Sequence, residues 1–132
     1  MRKIWSLVAL AALMASFVFA LAGCGSEEPE LGYVQISGEE AMTMMAEEDD
    51  YVILDVRTRE EFAEKHIVGA ICIPNEEIGE EPIAELPDLD QLILVYCRSG
   101  NRSKQASEKM VQLGYTNVYE FGGIIDWTGE VE

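Results

Sequence analysis

Leu92-Ile93-Leu94-Val95-Tyr96-Cys97-Arg98-Ser99-Gly100-Asn101-Arg102-Ser103 is the stretch that decides how this chain folds. Its first five residues are apolar without a break and include β-branched and aromatic members, which suits a strand buried on both faces, as strands of parallel sheets are. The run passes directly into a short polar loop. From about Ser103 to Leu113 the pattern turns helical, and Gly114 stands where a helix cap is expected. Strand, tight loop and helix in this order put Cys97 beyond the carboxyl end of a strand, where ligands sit in open α/β sheets.

Working outward, the same alternation recurs. Tyr33-Val34-Gln35-Ile36 reads as a first strand, and Ser37-Gly38-Glu39-Glu40 has capping-box spacing ahead of a helix that turns Ala41, Met44 and Met45 inward and ends near Asp49-Asp50. Tyr51-Val52-Ile53-Leu54 is a second buried strand, followed by Asp55-Val56-Arg57. Thr58-Arg59-Glu60-Glu61 is another capping box, opening a helix through Phe62 to about Lys65. Ala70 to Ile73 is a short strand stopped by Pro74, an acidic stretch with helical leanings fills Asn75 to Leu86, and Val118 to Phe121 is a last strand before Gly122-Gly123. Strands alternating with helices imply crossover connections and an α/β sandwich of three layers around a mostly parallel central sheet.

The chain has 132 residues, 48% of them apolar and 26% charged, the composition of one packed domain. Residues 1–23 are of another kind: Arg2 and Lys3 precede an apolar run from Ile4 to Ala22 broken only by Ser6 and Ser16, which marks a targeting segment. It closes on Leu21-Ala22-Gly23-Cys24, which resembles the lipobox of bacterial lipoproteins. That resemblance implies a signal peptide over 1–23, a diacylglycerol on Cys24, an acidic tether over 24–30 containing Pro29, and a folded domain over 31–132. It also implies a membrane-anchored protein on the extracytoplasmic face, at the cell surface or in a periplasm; the alternative is an uncleaved anchor helix. All acidic residues follow Cys24, so loss of Arg2 and Lys3 takes the formal charge from −16 to −18. Such acidity argues against nucleic acid as a partner.

Cysteine is a useful nucleophile as thiolate, so the question at Cys97 is what stabilises the anion. The following helix presents unsatisfied N–H groups and about half a positive charge at its N-terminus. Gly100 and Asn101 tolerate positive φ and could turn successive N–H groups toward one point. Arg98 and Arg102 add two permanent cations to a chain with few.

These features sit within a longer set. Asp55-Val56-Arg57, Glu61-Phe62, His66-Ile67 with Gly69-Ala70 and Ile73-Pro74, the loop from Cys97 to Arg102, and Gly122-Gly123 with Trp127 together resemble the successive signatures of a rhodanese domain, over about Leu31 to Glu132. Lys65 departs from the family, which usually has Gly before the histidine. The resemblance implies a sulfurtransferase without cofactor or metal. Cys97 would take a sulfur atom from a small anionic donor such as thiosulfate, hold it as a persulfide, and yield it to a thiol or cyanide. It also implies that Arg98, Ser99, Gly100, Asn101, Arg102 and Ser103 cradle the persulfide, with Asp55 and Arg57 in support. Four residues separate Cys97 from Arg102, against five in the related phosphatases and arsenate reductases; the tighter ring favours sulfur over a tetrahedral oxyanion. A non-catalytic binding module at the envelope is the other reading.

The remaining candidates read more plainly. Cys72 is a small buried hydrophobe, or else a redox partner of Cys97, and the sequence does not supply that distance. His66, the single histidine, is structural at a helix end. Arg57 and Arg59 are expected to pair with Glu60 or Glu61, and Asp55 with an arginine of the Cys97 loop. Met44 and Met45 are core, and Trp127 is a packing lid.

Overall fold

The structure, a computed structural model, describes residues 32–132. The leader, Cys24, the tether and Leu31 lie outside these residues. Five strands form one sheet: β1 (Val34–Gln35), β2 (Val52–Asp55), β3 (Ile71–Cys72), β4 (Ile93–Cys97) and β5 (Val118–Gly123). Their spatial order is β1-β5-β4-β2-β3, and every pairing is parallel. The helices are α1 (Gly38–Glu47), α2 (Arg59–Glu64) and α3 (Asn101–Gln112). Among the described residues no helix is long and apolar enough to cross a membrane.

Strand alternation assigns the two faces. Ile93, Val95 and Cys97 join Leu54, Val56, Ala106, Met110 and Val118 in one apolar cluster, against α3. Leu92, Leu94 and Tyr96 join Ala41, Ile53, Phe121 and Ile124 in the other, with Met44, Met45 and Trp127 packed alongside. All of β4 is buried, and each of its aliphatic side chains contributes about 1.5–3 kcal/mol by leaving water.

Both helix starts follow their local signals. The Ser37 hydroxyl accepts the Glu40 N–H at 3.1 Å. At α2 the box is reciprocal: Thr58 Oγ1 accepts the Glu61 N–H at 3.2 Å, and the Thr58 N–H donates to Glu61 Oε1 at 3.3 Å. At the far end of α3 the Gly114 and Tyr115 N–H groups donate to the Val111 and Met110 carbonyls, closing the last turn.

Asn75 to Leu86 departs from its helical leaning. Only a 3₁₀ turn forms, over Asn75–Glu77, because Pro82 lacks an N–H and Gly79 weakens a helix. The backbone beyond is held by a side chain instead: the Tyr115 hydroxyl donates to Leu86 O at 2.6 Å and accepts the Ile83 N–H at 2.9 Å, with all three residues buried. Tyr115→Phe would orphan both backbone groups. The expected loss is about 1–3 kcal/mol, read as a lower melting temperature with the fold retained.

The topology selects one place on the sheet. From β2 the chain crosses to β3 at one edge, and from β4 it crosses to β5 toward the other, so β2 and β4 are neighbours whose onward connections diverge. That is the topological switch point, and ligands of open α/β sheets bind there, beyond the carboxyl ends of the strands. Asp55 ends β2 and Cys97 ends β4.

Candidate active site

Cys97 is 1% exposed and points to the α3 face of the sheet. Its Sγ accepts the Gly100 N–H at 3.0 Å and lies 3.4 Å from Ser103 Oγ. Gly100 has φ +107, the left-handed region that favours glycine, and this turn aims its N–H back at the sulfur. Asn101 has no positive φ; it is the first residue of α3, which begins two residues earlier than the sequence pattern indicates. The ring is therefore closed by the first helical turn itself, whose free N–H groups and partial positive charge face the loop.

Gly123 explains how the loop can sit so close to β5. A Cβ there would meet the Arg98 carbonyl and come within 2.7 Å of Ser99 Cα, all of it backbone. Arg98 O also accepts the Ile125 N–H at 3.3 Å. The double glycine is thus a wall of the site, a role the sequence motif alone does not disclose.

The two loop arginines differ. Arg102 is half-buried and bonded to Glu61 through both terminal nitrogens, at 2.7 and 3.1 Å. Arg98 is exposed, and among the described residues its side chain has no partner. It helps to line a cavity of 440 Å³ with Arg57, Glu61, Glu64, Lys65, Ile124 and Ile125. Ser99 and Asn101 are exposed on the loop, and Ser103 is buried beneath it.

The hydrogen bonds from Arg102, together with those from Thr58, hold the Glu61 carboxyl at about 2, well below its ordinary 4.5, although burial opposes this. A carboxyl lowered on folding stabilises the fold above its unfolded value and loses that contribution as pH falls toward the folded one. Wild type should therefore be more stable than Glu61→Gln above pH 4.5, with the difference fading between 4.5 and about 2. Urea unfolding of both proteins across that range checks the sign and the window.

Asp55 does not reach the loop arginines. It is fully buried and accepts from Arg57, at the backbone N–H (2.9 Å), Nε (3.0 Å) and Nη2 (2.7 Å). Arg57 Nη2 also donates to Lys65 O at 2.7 Å. Asp55 therefore works at one remove: it fixes Arg57, which braces the Lys65-His66 turn and one wall of the 440 Å³ cavity. The expected pairing of Arg57 and Arg59 with Glu60 or Glu61 is replaced throughout. Arg57 takes Asp55, Arg59 takes Glu77 and Arg102 takes Glu61.

His66 stacks on Phe62 with ring centroids 3.8 Å apart and lies just past the end of α2, its Nδ1 2.8 Å from Phe62 O. Cys72 pairs in register with Asp55, which pairs with Tyr96. Cys72 and Cys97 are thus two strand spacings apart, roughly 9.5 Å, beyond the reach of a disulfide without backbone movement. Burial pushes the Cys72 thiol up, as suits an apolar filler. Trp127 packs on Phe121 with centroids 5.6 Å apart.

One buried group was passed over in the sequence. Glu120 on β5 is 2% exposed, and its carboxylate accepts the Ser103 hydroxyl at 2.7 Å and the Gly122 N–H at 2.6 Å. The signal was available: a carboxylate inside a strand of a doubly covered sheet needs partners.

Known proteins agree with this picture. A family model described as "Rhodanese-like domain" matches residues 37–130. Thiosulfate sulfurtransferase PspE of Escherichia coli is 40% identical over 73 residues, covering 55% of this chain and 70% of that protein. Thiosulfate sulfurtransferase GlpE of Pseudomonas entomophila is 34% identical over 91 residues, covering 69% and 80%. Among solved structures, a rhodanese with anions from E. coli superposes with a TM-score of 0.57 at 35% identity, covering 62% of this chain and 96% of that one. With the parallel five-stranded sheet and the cysteine loop at its switch point, these matches mean that the chain belongs to the rhodanese-like domain family and is a sulfurtransferase of the rhodanese type.

Proposed function

We propose that the protein moves a sulfane sulfur from an anionic donor such as thiosulfate to a thiol or cyanide through a persulfide on Cys97. The observation that carries this reading is the short N–H···S contact from Gly100, 3.0 Å long, at the N-terminus of α3. The amide and the helix terminus there present positive charge to the sulfur, where the negative charge of a persulfide would sit. The Cys97 thiolate attacks the outer sulfur of the donor, the donor's S–S bond breaks, and sulfite leaves with the electron pair. Attack by the acceptor on the outer sulfur of Cys97-S-S⁻ then returns the thiolate. Splitting one transfer into two is what covalent catalysis achieves.

Arg98, exposed and without a side-chain partner among the described residues, is a cation available to an incoming anion, whereas Arg102 is committed to Glu61. Four residues between Cys97 and Arg102 support sulfur over phosphate or arsenate. In this reading the domain acts outside the cytoplasm, held to a membrane by lipid on Cys24, which Leu21-Ala22-Gly23-Cys24 supports.

The test is turnover. Purified protein given thiosulfate and cyanide should release sulfite and thiocyanate and should leave an aryl phosphate intact. Phosphate release without sulfite would overturn the reading.

A further inference from the structure

Glu120 is an acid with no cation beside it. Its carboxylate is buried, no arginine or lysine pairs with it among the described residues, and its partners are the Gly122 N–H and Ser103. Ser103 Oγ has one hydrogen and three oxygens within reach, Glu120 Oε2 at 2.7 Å, Gly100 O at 3.0 Å and Gly122 O at 3.4 Å, and it stands 3.4 Å from Cys97 Sγ, which can donate to it. The carboxylate oxygen is the nearest and the one that is charged, so it takes the hydrogen. A lone pair of Ser103 is then left facing the sulfur, and the chain of donors runs from Cys97 S–H to Ser103 O–H to Glu120.

Two anions in one buried site repel each other. A Glu120 carboxylate and a Cys97 thiolate, linked by a single hydroxyl, are each favoured when the other is neutral. We propose that Cys97 and Glu120 share one proton through Ser103, with Glu120 as a positioning residue that holds the proton whenever Cys97 is the nucleophile. The step balances: the thiol proton passes to Ser103 Oγ, the Ser103 hydroxyl proton passes to Glu120 Oε2, and Cys97-S⁻ with Glu120-COOH replaces Cys97-SH with Glu120-COO⁻. No net charge enters or leaves the site. The thiolate then attacks the donor as described above, so the inference rests on the persulfide reading for its purpose but not for its test.

Other charges facing the pair are few. Tyr33, ahead of β1, packs on the same side and is raised by burial first, then by Glu108 of α3 and by Glu120. Arg102 of α3 faces Cys97 and is raised chiefly by its Glu61 partner. Arg98 is directed to solvent.

Coupled groups titrate in two steps that belong to the pair. The experiment is the pH dependence of iodoacetamide alkylation of the full-length protein, followed on the Cys97 peptide by mass spectrometry so that other cysteines do not contribute. Wild type should show two steps, the lower one a partial reactivity from the shared-proton state. Glu120→Gln keeps the size of the side chain and an oxygen for the Gly122 N–H, and should give one step. Ser103→Ala, which removes the bridge and leaves the carboxylate, should remove the lower step too, and carries the test if the Gln variant melts early. A wild-type profile with a single step, or a lower step that survives either substitution in a folded protein, overturns the proposal. Neither outcome depends on a sulfur donor, so persulfide formation can succeed or fail separately.

Discussion

Replacing Cys97 with alanine is expected to lower sulfur transfer by about a thousandfold or more, the scale seen when a covalent nucleophile is removed, with the fold kept. The sulfur is the acceptor of the Gly100 N–H, so the variant leaves one buried donor without its partner and should lose about 1–3 kcal/mol of stability. Cys97→Ser separates the two effects. Its hydroxyl can accept the same N–H, so stability should recover toward wild type, whereas activity should stay lost because an alcohol gives up its proton far less readily than a thiol and is a poor nucleophile toward sulfur. Sulfite release and urea unfolding, measured on both variants, read the two quantities independently.

Gly123→Ala should also damage activity, though less than loss of the nucleophile, while leaving every polar residue of the site in place. The added methyl would collide with the Arg98 carbonyl and crowd Ser99 Cα, and backbone cannot move aside as the tip of a side chain can. Either β5 or the Cys97 loop must shift. Overpacking of this kind costs about 1–3 kcal/mol, and more where only backbone can yield. A shift of about 1 Å in a reacting group can lower a rate about a hundredfold. Gly122 is the control: no atom lies within 4 Å of its Cβ position, and its penalty comes from φ +88 alone. Comparing kcat/KM for alanine at each position distinguishes crowding of the loop from backbone strain.

What could be read from the sequence follows from how local each signal is. The β4 run, with Ile93 to Tyr96 apolar in succession, announces a strand covered on both faces, and the caps at Ser37 and Thr58 set the helix starts to within a residue. The Cys97 loop is equally local, since Gly100 and the start of α3 follow within four residues. Partners distant in the chain were not legible. Glu61 and Arg102 are 41 residues apart, and Ser103 and Glu120 are 17 apart; Arg57 has carboxylates close on both sides in sequence, and choosing Asp55 over Glu60 or Glu61 requires the turn after β2. The stretch from Ile78 to Leu86 failed for a related reason. Its helical leaning is weak, and the hydroxyl of Tyr115, about thirty residues on, offers its backbone a better arrangement.

The chemistry itself turns on whether the sulfur of Cys97 accepts another sulfur. Wild-type protein incubated with thiosulfate, freed of small molecules and digested without reductant should yield a Cys97 peptide heavier by one sulfur atom, and cyanide should return it to its original mass. A Cys97 peptide unchanged in mass, in a protein that nevertheless releases sulfite, would contradict a persulfide at this residue.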